Sequence, residues 1–431
     1  MTQTATTVLK KSARRQIATC WLLLGLAIPA VARAQDTPPA PFNAAIAWAS
    51  FTKLLGEDYA YFDRPGIEGE TILAAFAPRA KAATTDKQFI DVLQLVAHNF
   101  VDPHFIVGPL DNDDWAVIPT SSDIFGVYAD ESFVVGEVRA DSDASAKRVL
   151  PRMTIVRIDG KTPADAVAEI MGLPFASLDA TRIAYGLNIA LAGHRGQRRV
   201  IEMRDREGDH VFNLAPGVDQ AKRDDAGRLL TVERHGPLGV IRINNSLGNN
   251  DLIAQFSTAL ATLADTSIFL IDLRDTPSGG NTTVARGIMG HFVTHDVPYQ
   301  MHVIPHEQRV YGPTRKFVEY VAPYGNYYPG KVYVAGGHWT GSMGEGLMVG
   351  FDAIGATTIG TDLAHLLGAL SNETIDGSNA KIDIGTEELF TVTSLPRAAY
   401  RPKIYLQRAE RWPYAIDPVL SAIPDWRIAI G

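Results

Sequence analysis

From residue 228 onward the chain alternates short apolar runs with amphipathic ones, and this constrains its fold more than any other feature. Leu238 to Ile243 reads as a strand, Leu252 to Leu263 as a helix, Ser267 to Leu273 as a buried strand and Val284 to Phe292 as a helix. Lys331 to Gly336 is a further strand, after which Leu347, Met348, Phe351 and Ile354 recur at helical spacing. Strands interleaved with helices bury both faces of a sheet, so the pattern predicts an α/β layered core.

The preceding sequence has a different texture. Residues 42–100 read as helical, with Phe42, Ala45, Ile46, Trp48, Phe51, Leu54 and Leu55 on one face and Thr84-Thr85-Asp86 as a cap before a second apolar stripe. The aromatic run Tyr59 to Asp63 lies between them and is expected to pack the helices together. Residues 123–215 are β-rich: Phe133 to Val135 and Arg152 to Ile158 read as strands, Asp159-Gly160-Lys161 as a tight turn, Pro163 to Met171 as a short helix and Glu207-Gly208 as the tip of a hairpin. The strand, turn and short helix resemble a PDZ domain, a module that binds extended peptides at a sheet edge.

The first 34 residues read as a leader. Lys10, Lys11, Arg14 and Arg15 precede the apolar run Ile17 to Pro29, and Ala32-Arg33-Ala34 forms an A-x-A site. Cleavage after Ala34 and a periplasmic or secreted protein follow, by either general or twin-arginine export and without stable membrane insertion. The single cysteine, Cys20, lies in the apolar run. The mature chain then has none, which excludes a thiol nucleophile, a thiolate metal site and any disulfide. The formal charge of −8 becomes −13 once the leader's five basic residues are removed. Such acidity without basic clusters argues against nucleic acid as a partner. No H-E-x-x-H or comparable spacing occurs, so no metal and no cofactor is expected. The oligomeric state is left open.

The segment Thr340-Gly341-Ser342-Met343-Gly344-Glu345 places a hydroxyl at a strand-to-helix turn. Backbone N–H groups in the first turn of a helix lack intrahelical partners and stabilise an anion, which suits a serine nucleophile; a helix-capping serine reads equally well. Thr340 in the first glycine position distinguishes it from the G-x-S-x-G elbow. A nucleophilic serine needs a base. His104, in Val101-Asp102-Pro103-His104-Phe105, is one candidate, and His338 and His365 are others. No lysine lies between Lys331 and Lys381, so a nearby Ser–Lys dyad finds no candidate. Gly279-Gly280, just after a buried strand, allows close backbone approach.

Taken in order, D-P-H-F, the PDZ-like insert, Asp272 to Gly280, Trp339 to Gly346 and the late Gly385 to Phe390 segment resemble a tail-specific (C-terminal-processing) serine peptidase of the tricorn-core-like branch. The resemblance implies a crotonase-like layered αββ core carrying an N-terminal helical domain and an inserted PDZ-like β domain. The divisions it implies are 1–34 leader, 35–120 helical domain with the base, 121–222 PDZ-like domain and 223–431 catalytic core. It implies Ser342 as nucleophile, His104 as base and Glu387 as orienting carboxylate, with Glu388 as the alternative. The oxyanion donors would be the N–H of Met343 and one from Gly279 or Gly280. The substrate would be a polypeptide, cut near its C-terminal region. Retinoid- or lipid-binding proteins share this core, so a non-catalytic ligand-binding protein is the competing expectation.

Overall fold

The computed structural model describes residues 41–225 and 227–424; the leader lies outside the described residues. Three sheets organise the chain. The first has six strands, in the order Ile404–Tyr405, Thr357–Gly360, Lys331–Gly336, Ile268–Asp272, Leu238–Ile243 and Leu230–His235. All neighbours run parallel except the last pair, an antiparallel hairpin. Ile268–Asp272 is buried at every residue, as expected of a strand covered on both faces. Alternation along Lys331–Gly336 divides the layers: Val334 points into a core shared with Phe269, Ile271, Leu347 and Phe351, whereas Tyr333 and Ala335 face Leu270, Val419 and Ile423. Each large apolar side chain so buried contributes about 1.5–3 kcal/mol.

The helices Thr282–Met289 and Met343–Ala353 occupy the first core together with Tyr299 and Val321 of a second, antiparallel sheet. This second sheet runs Ile106–Gly108, Lys381–Phe390, Val297–Ile304 and Arg315–Val321, with Ala369–Thr374 also pairing with Lys381–Phe390. The helices Ala44–Asp58, Gly69–Lys81 and Asp86–Asn99 share a core with Ile382 and Ile384 of its long strand. Asn43 caps the first of these helices, and Thr85 accepts the Gln88 N–H to cap the third. Of the aromatic run expected to pack the helices together, Tyr59 and Phe62 pack on Phe100, and Tyr59 also on Phe105.

The third sheet, in the order Ile124–Ala129, Ser132–Val138, Thr154–Ile158, Arg199–Asp205 and Gly208–Leu214, is antiparallel. The short helix Pro163–Met171 follows the tight turn as read from the sequence, and an unanticipated helix, Ala180–Ala192, packs beside the edge strand Ile124–Ala129. Asn188 on that helix donates to the Gly126 carbonyl at 3.0 Å and accepts the Gly126 N–H at 2.9 Å. Polar side chains also tie this sheet to loops of the first one. Glu137 binds the His338 ring at 3.0 Å and accepts the Ala409 N–H at 2.9 Å. Arg139 binds Asp275 at 3.3 Å, and the Trp339 indole donates to the Ser122 carbonyl at 3.0 Å.

Among the described residues no helix is long and apolar enough to cross a membrane. Nor does any group of three or more His, Cys, Asp or Glu stand ready to hold a metal ion.

Candidate active site

Ser342 immediately precedes the helix Met343–Ala353 with φ 50° and ψ −111°. Residues with a Cβ seldom adopt such a backbone, which costs of order 1–3 kcal/mol. Glycines surround it because nothing larger fits. A Cβ on Gly341 would lie 2.3 Å from the Pro277 carbonyl oxygen, and one on Gly344 would lie 2.7 Å from Thr276 Oγ1. The loops after two adjacent parallel strands run together here. Gly341 N–H donates to Thr276 O at 3.1 Å, and Thr276 N–H to Trp339 O at 3.1 Å. The Gly279-Gly280 turn is thereby pressed against the elbow: a Cβ on Gly279, at φ +69°, would sit 2.4 Å from Ser342 Cβ and 2.7 Å from Met343 N. The Gly279 N–H is already donated to Thr276 O at 3.3 Å.

The start of this loop is anchored by buried ions. Burial alone would raise the Asp272 carboxyl, but the guanidinium groups of Arg274 and Arg242 hold it well below the usual carboxylate range. Arg274 continues to Asp417 at 2.8 Å and to the Ala409 carbonyl. The D-L-R part of this motif therefore braces the loop.

His104 lies in the turn before Ile106–Gly108 and is buried. Its Nδ1 is 2.9 Å from the Leu367 carbonyl oxygen. A carbonyl only accepts, so Nδ1 carries the hydrogen and Nε2 keeps its lone pair. Burial lowers the affinity of the ring for a second proton, against the opposing pull of Asp102. The Asp102 carboxylate is fully buried and collects three donors: Tyr59 Oη at 2.9 Å, His104 N at 2.9 Å and Leu367 N at 3.1 Å.

Glu345 completes the arrangement. Its carboxylate accepts the Ser342 N–H at 3.1 Å and the His365 N–H at 2.7 Å, and Arg397 lies 3.5 Å away. Burial pushes its carboxyl up to about 7, with Arg397 opposing. Ser342 and His104 are thus both linked to one short segment, His365–Leu367, gripped by Glu345 at one end and by Asp102 at the other. Among the described residues no hydrogen bond joins Ser342 Oγ to the His104 ring. The sequence held signals for both carboxylates, the S-x-x-E spacing of a capping box for Glu345 and the D-x-H spacing for Asp102, but their common target was not apparent.

The third expected member stands elsewhere. Glu387 is on the long strand Lys381–Phe390, and its carboxylate binds His302 Nδ1 at 2.6 Å, not His104. Strand register explains this, since His302 opposes Leu389 on the neighbouring strand and reaches diagonally to Glu387. The place beside His104 Nδ1 is filled by the Leu367 carbonyl. Glu388 is half-buried, and burial raises its carboxyl against the pull of Arg309 and Lys316. Of the other candidate bases, His338 stacks on Phe125 at 3.6 Å with Nδ1 turned to Glu137. His365 approaches Glu345 through its backbone.

No protein-family profile matches the chain, and no curated protein sequence does. Among solved structures, the chain is similar to mature CPAF complexed with lactacystin, with a TM-score of 0.56 and 11% identity over 85% of this chain and 94% of that one. It is similar also to the photosystem II D1 C-terminal processing protease, with a TM-score of 0.53 and 11% identity over 84% of this chain and 93% of that one. At these identities the likeness shows a shared fold.

Proposed function

We propose that this protein is a serine-type endopeptidase with Ser342 as nucleophile and His104 as general base. The observation that carries the reading is the strained backbone of Ser342, at a glycine-lined strand-to-helix elbow linked through the segment His365–Leu367 to a histidine whose Nδ1–H is already committed. Strain of this kind persists where a site requires it. The photosystem II D1 C-terminal processing protease, which shares the fold, supports it.

In this reading His104 Nε2 takes the proton from Ser342 Oγ as the oxygen attacks a peptide carbonyl, then returns it to the leaving amine. Water repeats the sequence on the acyl-enzyme. The Leu367 carbonyl orients the ring, and the Asp102 and Asp383 carboxylates favour the transient imidazolium against burial. The oxyanion is met by the Met343 N–H at the helix start and by Gly280, since the Gly279 N–H is engaged with Thr276. Each donor contributes about 3 kcal/mol to the transition state. Glu387 is committed to His302 in this arrangement and takes no part in orienting His104. The core is crotonase-like and the insert over 121–222 PDZ-like, a reading supported by its five antiparallel strands and the helices Pro163–Met171 and Ala180–Ala192. The site belongs to a periplasmic or secreted protein, a reading that rests on the leader.

The test is labelling of the purified mature protein with a fluorophosphonate probe, with Ser342→Ala and His104→Ala as controls. Labelling mapped to Ser342 and lost in both variants is expected. Folded wild-type protein that does not label overturns the assignment.

A further inference from the structure

Beside the elbow lies a cavity of about 240 Å³, walled on one side by the inserted sheet and its helix and on the other by the loops of the candidate site. The inserted sheet contributes Phe125, and its helix Tyr185 and Asn188; the catalytic side contributes Pro103, Trp339 and Leu363. Three connections tie the cavity to the reacting groups. Pro103 adjoins His104, and the lining residue Ala364 donates its N–H to Thr340 O, two residues before Ser342, at 3.1 Å. His365, also in the lining, shares the Glu345 carboxylate with Ser342.

Most polar side chains around this cavity are engaged elsewhere. Asn188 holds both backbone groups of Gly126 and the Ala184 carbonyl. Ser122 donates to the Pro119 carbonyl and accepts from the Trp339 indole. His338 turns Nδ1 to Glu137 and lays its ring on Phe125, and Asp362 pairs with Arg401 at 3.3 Å. What remains facing the space is mainly ring and aliphatic surface. No lysine or arginine lines it, so a free C-terminal carboxylate would be desolvated there without a cation. Nor is the neighbouring sheet edge open to a peptide strand at Gly126, where Asn188 already takes the N–H and the carbonyl. The size is equally restrictive. An apolar cavity of roughly 150 Å³ holds benzene, whereas sites for whole small molecules run to roughly 300–1,000 Å³. The space suits one large side chain and is small for a retinoid or lipid.

We propose that this cavity is a subsite for one bulky apolar side chain of the substrate polypeptide, close to the bond Ser342 attacks, and not a seat for a free C-terminus. The proposal rests on the peptidase reading, but its test does not depend on turnover. Peptides with blocked N-termini, identical except for Phe, Leu, Ala, Asp or Lys at one position, are titrated calorimetrically into the Ser342→Ala protein, with C-termini free or amidated. The Phe and Leu peptides should bind on the order of 10–100-fold more tightly than the Asp and Lys peptides, with no loss on amidation. Ala184→Trp, and Thr181→Trp on the same helix, should fill the space and abolish the preference. Equal affinity across the series, or tighter binding that requires a free carboxylate, overturns the proposal. Should wild-type protein fail to label with the fluorophosphonate, the peptidase reading fails, while the titration still decides what the cavity holds.

Discussion

Replacing Ser342 by alanine and by glycine separates the chemistry of the side chain from the strain of the backbone. Both substitutions remove the hydroxyl, so both should end fluorophosphonate labelling. They differ in what the backbone must bear. At an ordinary position glycine is less stable than alanine by about 0.5–1 kcal/mol, because it loses more freedom on folding. At φ 50° and ψ −111° alanine keeps a strain of about 1–3 kcal/mol that glycine does not. The difference leaves Ser342→Gly more stable than Ser342→Ala by up to about 2.5 kcal/mol, the reverse of the usual order. Urea unfolding followed by tryptophan fluorescence measures it, with equal slopes expected and a higher midpoint for the glycine variant. A glycine variant that is less stable than the alanine variant would refute stored strain at the elbow, and with it the main support for Ser342 as nucleophile.

Three other outcomes follow from the site. Because the Leu367 carbonyl occupies His104 Nδ1, Glu387→Gln should lower kcat less than about tenfold, whereas His104→Ala should lower it at least about 10³-fold; a 10⁴-fold loss in Glu387→Gln would make Glu387 the orienting group after all. Burial depresses His104, so the acid limb of kcat/KM should fall below pH 6.5, and the stability His104 contributes should be present above 6.5 and vanish as pH drops through its lowered folded value; a limb at pH 7 or above contradicts this. The Glu345 carboxyl, raised from 4.5 to about 7, contributes stability that is complete below 4.5 and is lost as pH rises through about 7, amounting to about 3 kcal/mol. Glu345→Gln should flatten that part of a plot of urea midpoint against pH, and an unchanged slope would count against the shift.

The readable parts of this chain were those whose pattern reports burial directly. Ile268–Asp272 is apolar throughout because it is covered on both faces, and Pro163–Met171 carries its own start signal in Thr162 and Pro163. The strand-to-helix turn at Ser342 and the glycine turn at Gly279-Gly280 were legible because both are local features. The second sheet was mostly missed. Arg315–Val321 and Ala369–Thr374 alternate or lie largely exposed, and their pairing depends on register across long stretches of chain. The partner of Glu387 was hidden for the same reason: His302 lies 85 residues away and meets it only through strand pairing. The group that holds His104 is a main-chain carbonyl, which no residue-type pattern can reveal.

The bonds from the inserted sheet to the candidate site bear on timing as well as shape. Glu137 and Ser122 hold the loop just ahead of Ser342, across 201 and 217 residues, and Arg139 holds the loop ahead of Gly279, across 136. Contacts of such separation form late, after most of the entropy of chain closure has been lost. A chain still assembling would therefore carry the serine without its setting. On the peptidase reading, hydrolysis would begin only once the last long-range docking is complete.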